Sequence, residues 1–265
     1  MIKTVIFDWA GTTVDYGSRA PVIAFKKAFD RAGITILDEE IRKDMGIAKW
    51  DHIGKILEIP RIKDQWKEVY HRLPNTEDRE NVYGLFQESL INHLKKSTEL
   101  KPGMLEAFQY LTEHSIRVAT TTGYTLEMMN IVRDSAAKLG YLPELVVTSE
   151  DVAGQGRPSP AMIKTILSQF SIDDLQSVLK IGDTVVDIQE GKNAGVITVG
   201  VVEGSSLMGL SEDEFNRLSK SEKVLKRREV RKIFENEGAD LIINNMFELS
   251  DVIQALNTSE EVANG

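Results

Sequence analysis

An α/β fold built on a parallel sheet, interrupted early by an inserted helical domain, is predicted by three observations. Val5-Ile6-Phe7 is a β-rich apolar run without alternation, as a strand buried on both faces requires, and it runs straight into Asp8. From Pro102-Gly103 onward, helical and strand patterns alternate, which calls for parallel strands joined by right-handed crossovers. Between these, residues 20–99 carry helix signals and no convincing strand. The chain therefore divides into an α/β unit of residues 1–19 and 100–265 and an α-helical insertion of residues 20–99.

The insertion opens with residues 20–32, where Val22, Ile23, Phe25, Ala28 and Phe29 share a helical face and Gly33 marks the stop. A second helix starts near Asp38, its acids suiting the positive end of the dipole, and Met45-Gly46 interrupts it. Residues 50–57, 61–71 and 78–96 complete the insertion as helices. The α/β unit resumes with helices at 104–114, 126–139, 160–169 and 188–194, and strands at 116–122, 144–148, 178–182 and 196–202. Residues 211–237 read as one charged, solvated helical surface, followed by a strand at 239–243 and a helix at 247–256. The polar residues 257–265 read as a frayed tail.

Composition narrows the function classes. A formal charge of −9 argues against nucleic acid or an anionic membrane as a partner, though not against an anionic substrate held in a locally positive site. The absence of cysteine excludes disulfides, a thiolate nucleophile and a Cys-based zinc site. No apolar run approaches the roughly 18 residues of a spanning helix, and the opening MIKTVIF lacks a signal-peptide pattern, so a cytoplasmic location is expected.

Four strand ends carry chemistry-bearing residues. Asp8 precedes Gly11, Thr12 and Thr13 at the first, where open α/β sheets bind ligands; alone, it reads equally well as a helix cap. Thr122, before Gly123, offers a hydroxyl and exposed N–H groups to a phosphoryl oxygen, or simply marks a turn. Arg157, in Gly-Arg-Pro-Ser-Pro, presents a planar donor fork suited to phosphate, or is a surface arginine. Asp183 and Asp187 follow a buried-strand pattern, and Asp183 suits a hard cation with Asp187 supporting it from the next helical turn.

Taken together and in order, Asp8, Thr122, Arg157 and Asp183/Asp187 resemble the haloacid dehalogenase superfamily of phosphotransferases. That resemblance implies a Rossmann-like core with an inserted helical cap domain, a nucleophile at Asp8, a hydroxyl at Thr122, a cation at Arg157 and Mg²⁺ held partly by Asp183. One departure matters. Phosphatases of the superfamily carry a second aspartate two residues after the nucleophile, and this chain has Ala10 there, which cannot protonate an alkoxide.

The insertion offers a way round this. Met45, Lys49 and His52 have spacings that place them on one helical face, although Gly46 interrupts the turn. A lysine desolvated beside Met45 favours its neutral, nucleophilic amine, and His52 could move protons; the bland alternative is an exposed lysine and a satisfied histidine. With DWAGTTVD, MGIAKWDH, TTGYT, GRPSP and GDTVVD in this order, the sequence resembles the phosphonatase family nearly end to end. The resemblance implies cleavage of the carbon–phosphorus bond of phosphonoacetaldehyde, with Lys49 as a Schiff base and Asp8 as an aspartyl phosphate. It implies Mg²⁺ on Asp8, the Ala10 carbonyl and Asp183, with Thr184 and Asp187 in support. Gly11, Thr12, Met45, His52, Thr122, Gly123, Tyr124 and Arg157 would surround the substrate, a small-molecule phosphonate, and a homodimer through the caps is expected. The competing readings are a phosphatase or phosphomutase, against which Ala10 speaks, a silent binding protein and a dehalogenase, which needs no Mg²⁺.

Overall fold

The computed structural model describes residues 1–95 and 98–264. Strand β1 (Thr4–Phe7) leads into five helices of the insertion: α1 (Arg19–Arg31), α2 (Asp38–Arg42), α3 (Lys49–Leu57), α4 (Pro60–Tyr70) and α5 (Thr76–Leu94). The alternating half follows: α6 (Met104–Glu113), β2 (Arg117–Thr122), α7 (Leu126–Lys138), β3 (Leu145–Thr148), α8 (Ala161–Phe170), β4 (Val178–Gly182), α9 (Val185–Ala194) and β5 (Ile197–Val201). It closes with α10 (Glu212–Arg217), α11 (Lys220–Asn236), β6 (Leu241–Ile243) and α12 (Leu249–Asn264).

The six strands form one sheet in the order β3-β2-β1-β4-β5-β6, and all pairings are parallel. The strand order reverses at β1, where Phe7 lies between Thr120 of β2 and Ile181 of β4. Open α/β sheets leave a crevice beyond such a switch point, and the residue after Phe7 is Asp8. Burial on both faces explains the apolar run: Val5, Ile6 and Phe7 are all fully enclosed.

Several boundaries differ from expectation, each for a local reason. The charged stretch after β5 is two helices, because Ser211 and Ser219 each cap a new start, reinforced by Glu214 and Glu222 in capping boxes. Asn75 and Asp78 form another box that starts α5 early, at Thr76, while the expected end of that helix at residue 96 lies outside the described residues. Thr184 caps α9, so that helix begins at Val185 rather than 188. The final helix runs on to Asn264, where a frayed tail was expected.

The insertion is not a separate globule. Phe25 and Phe86 stack with centroids 4.3 Å apart between α1 and α5, and the buried cluster that contains them runs without a break to Met128, Met129 and Phe7. Two chain crossings connect it to the sheet. They lie side by side, with Val14 bridged to Leu100 and the Asp15 N–H bonded to the Glu99 carbonyl at 3.2 Å.

Candidate active site

Asp8 ends β1 and is almost fully buried. Thr12, four residues on, donates its hydroxyl to Asp183 Oδ1 at 3.1 Å and lies 3.4 Å from Asp8 Oδ2, so it bridges the two acids. Gly11 makes that approach possible: at φ +87° it occupies the left-handed region, and a Cβ there would lie 2.2 Å from Asp183 Oδ2. Asp183 follows β4, and its second oxygen accepts the Ser206 N–H at 2.7 Å. Burial, and then the charges of Asp8 and Asp187, push the Asp183 carboxyl well above the usual carboxylate range.

Oxygens of Asp8, Asp183 and Asp187 lie within 4.8 Å of one another. A buried cluster of carboxylates, one of them driven toward its neutral form, is the electrostatic situation that a divalent cation relieves. The donor set is all oxygen, as a hard cation prefers. Asp187 is the least free of the three. Its Oδ1 pairs with Arg157 at 3.0 Å and Lys180 at 2.9 Å, and its Oδ2 accepts the Thr184 hydroxyl at 2.5 Å. Those cations hold its carboxyl below the usual range despite complete burial. Asp8 and Asp183 are the residues with capacity for a metal; Asp187 and Thr184 brace the site through the capping box of α9.

Arg157 is the hub of a buried charge network rather than an open phosphate fork. Nη1 lies 2.7 Å from Asp8 Oδ1, Nε 3.0 Å from Glu190, and Nη2 donates to the Thr121 carbonyl and hydroxyl at 2.5 and 2.9 Å. Lys180, inside β4, reaches Asp187, Glu190 and Thr121 from the other side. The sequence reading missed Lys180 and Glu190. The signal was present: a lysine within the apolar strand Val-Leu-Lys-Ile-Gly, and a glutamate one helical turn after Asp187, demand mutual partners.

The insertion supplies the remaining wall. Lys49 begins α3 and is buried, and desolvation lowers its amine to about 8, with Asp8 opposing the shift. Met45 Sδ sits 3.9 Å from Nζ, but Met45 lies in the loop after α2, so the pair is brought together by that loop and not by one continuous helix. Tyr124 places its ring 5.7 Å from the same Nζ, while its N–H bonds the Thr122 hydroxyl oxygen at 3.1 Å, leaving that hydroxyl free to donate. His52 is elsewhere. Its Nε2–H donates to the Ile41 carbonyl at 2.8 Å, its ring packs on Phe25, and it does not line the cavity. Burial, and then the nearby Lys49, hold the imidazole neutral, with its pKa down at about 3. Only Nδ1, buried and without a protein partner, is left for proton handling.

These walls enclose a cavity of about 20 Å³ between Asp8, Ala10, Lys49, Thr122, Tyr124 and Arg157. Two glycines allow so close a fit. A Cβ on Gly46 would lie 2.5 Å from Val186 and 2.6 Å from Thr184 Oγ1, and one on Gly123 would lie 2.6 Å from the Ile47 carbonyl. A buried carboxylate, a cluster of acids that could hold a cation, a hydroxyl free to donate and a lysine of lowered pKa thus lie around one small space.

Residues 2–195 match the family model of haloacid dehalogenase-like hydrolases. The chain is 46% identical over 256 residues to a phosphonoacetaldehyde hydrolase of Lactiplantibacillus plantarum, covering 97% of each. It is 45% identical over 260 residues to one of Latilactobacillus sakei, covering 98% of each. Among solved structures, a phosphonoacetaldehyde hydrolase-like protein of Oleispira antarctica superposes with a TM-score of 0.94 at 33% identity, over 97% of this chain and 93% of that one. The chain belongs to the haloacid dehalogenase-like hydrolases and, within them, to the phosphonoacetaldehyde hydrolase family. No helix among the described residues is long and apolar enough to cross a membrane.

Proposed function

We propose that this hydrolase cleaves the carbon–phosphorus bond of phosphonoacetaldehyde, giving acetaldehyde and phosphate. The observation that carries the reading is the buried Lys49 amine in the same cavity as Asp8, beside Ala10 where an acid would otherwise stand.

The residues divide the work as follows. Lys49, with its pKa near 8, keeps an appreciable neutral fraction near pH 7–8 and adds to the aldehyde, losing water to form a protonated imine. That imine withdraws electrons from the adjacent C–P bond. Asp8 attacks phosphorus, and the bond's electron pair enters the imine as an enamine, so no acid is needed to protonate a leaving oxygen and Ala10 suffices. Arg157, tied to Asp8 at 2.7 Å, fixes the carboxylate for in-line attack. The Thr122 hydroxyl is the donor for a phosphonate oxygen; the N–H groups of Gly11 and Thr12, expected to share that role, are instead bonded to the carbonyls of Val14 and Trp9 at 2.7 and 3.1 Å. Mg²⁺, held by Asp8 and Asp183 with the Ala10 carbonyl as a further ligand, would neutralise charge on the phosphoryl oxygens. Water then hydrolyses the aspartyl phosphate; the enamine takes a proton back at carbon, and hydrolysis of the imine frees Lys49. Met45 and the ring of Tyr124 exclude bulk water from the amine, and His52 can relay a proton only through Nδ1.

Borohydride reduction in the presence of phosphonoacetaldehyde, followed by peptide mass mapping, tests this. A reduced adduct on Lys49 with loss of activity is expected. No adduct, together with activity surviving Lys49→Ala, would replace the reading with that of an atypical phosphatase.

A further inference from the structure

The loop after β5, from Glu203 to Gly209, meets the catalytic acids and the inserted helices at once. The Ser206 N–H holds Asp183 Oδ2, as described. The carbonyl of the same residue accepts from Arg42 Nη1 at 3.0 Å. Arg42 ends α2 in the insertion, and that same nitrogen donates to the Gly17 carbonyl at 2.9 Å, while Nη2 points to the Gly209 carbonyl at 3.4 Å. From beneath, buried Lys101 donates to the carbonyls of Glu203 and Gly11, tying this loop to the loop of Asp8.

The Arg42 contacts are unusual in kind. Its acceptors are backbone carbonyls of three residues that all lie outside the helical insertion, so the bonds exist only while α2 lies against the α/β unit. Arg42 is half-buried, and withdrawing a guanidinium from water without a carboxylate ion pair is offset here by several oriented acceptors. Six residues separate Arg42 from Lys49, and between them Gly46 seats the chain on Thr184 and Val186. Arg42 thus anchors one end of the segment whose other end carries the amine.

We propose that Arg42 is a positioning residue that latches the inserted helices shut on the loop of residues 203–209, and so sets Lys49 over Asp8. Ser206 joins the latch to the site, because its C=O takes Arg42 and its N–H takes Asp183. The proposal rests on the carbon–phosphorus hydrolase reading for its role in turnover, but not for the closure itself.

The test uses the full chain, with Arg42→Met and Arg42→Lys. Without substrate, lysines are acetylated by acetic anhydride and mapped by mass spectrometry, with Lys180, fully enclosed within β4, as the internal standard for an intact fold. In Arg42→Met the expected result is a rise in Lys49 labelling of about tenfold with Lys180 unchanged, and a similar fall in kcat/KM with a smaller fall in kcat, because saturating substrate pulls the closed form back. Arg42→Lys should lie between. Unchanged Lys49 labelling and unchanged kcat/KM in Arg42→Met overturn the latch. Loss of Lys180 protection in both variants also overturns it, assigning Arg42 to the fold as a whole. Absence of phosphonoacetaldehyde turnover in the unaltered enzyme would reject the parent reading, while the labelling comparison still decides the latch.

Discussion

Met45 Sδ and Lys49 Nζ lie 3.9 Å apart, although only Lys49 belongs to a helix. The thioether is delivered by a loop that Gly46 turns at φ +98°, so the apolar shield of the amine depends on loop conformation. Replacing Met45 with Leu should keep the shield, while Met45→Ser should let water in and raise the Lys49 pKa toward that of an ordinary lysine.

The pH dependence of turnover follows from Lys49. Burial brings its folded pKa down to about 8 from the 10.5 of an ordinary lysine, so the neutral amine gains population as pH rises through about 8, and kcat/KM should climb on that limb. The stability sign is the same: between about 8 and 10.5 the unfolded chain binds the extra proton, so rising pH favours the fold across that window. Initial rates and urea midpoints between pH 6 and 10 check both, and Lys49→Met should reduce the stability slope without abolishing it, because burial lowers Lys101 to about 8 as well. A flat kcat/KM profile would contradict this assignment.

Gly46→Ala places a methyl where Val186 and Thr184 already stand, on a backbone angle that disfavours a side chain. Closure should be held open by a fraction of the methyl's width, and misplacement by about 1 Å can cost on the order of 10²-fold in rate. Steady-state kinetics should show that loss while the α/β unit retains its thermal midpoint.

Arg157 stands between Asp8, Asp187 and Glu190 with its side chain 1% exposed. Arg157→Met leaves buried acids short of a partner, and breaking a buried pair in this way costs about 3–5 kcal/mol. Arg157→Lys cannot reproduce a planar fork with three separate targets, so it should recover only part of that. Equilibrium unfolding in urea measures both, and near-neutral stability in Arg157→Met would refute the network as a structural element.

The proposed cation site can be tested by its opposite effects on stability and activity. Asp183→Asn relieves the mutual repulsion of three buried carboxylates, so without metal the variant should melt higher than the parent, yet it should not turn over substrate. Mg²⁺ should stabilise the parent by about 2.7 kcal/mol at a hundred times its dissociation constant, and should add little to the variant. Calorimetry with and without Mg²⁺ resolves the two.

The strand ends were legible because each obeys a simple rule: an apolar strand, then a polar residue at its carboxyl edge. Asp8, Thr122 and Asp183 are all where that rule puts them, and the six strands and the insertion follow the alternation of patterns. What escaped depended on distant partners. Lys180 and Glu190 find each other across 10 residues of sequence but meet Arg157 from a third segment, and no local pattern announces that. The loop of residues 203–209 carries no chemistry in its side chains toward Asp183, only the Ser206 N–H, which every residue but proline possesses. His52 lies near Lys49 as its spacing predicts, but its ring is turned away from the cavity for a related reason. The carbonyl that claims its Nε2 belongs to Ile41, 11 residues earlier, which helical spacing alone does not announce.

The cavity around Asp8 and Lys49 measures about 20 Å³, roughly the room of a single water site. A phosphonate is larger than that, so binding one requires the walls around Asp8 and Lys49 to part. On the proposed reading, substrate entry and product exit are then two passages through a more open conformation, whatever the speed of bond making and breaking. If those passages limit the cycle, turnover will fall as added glycerol or sucrose thickens the solvent, and the ceiling on kcat will be set by friction rather than by carbon–phosphorus chemistry.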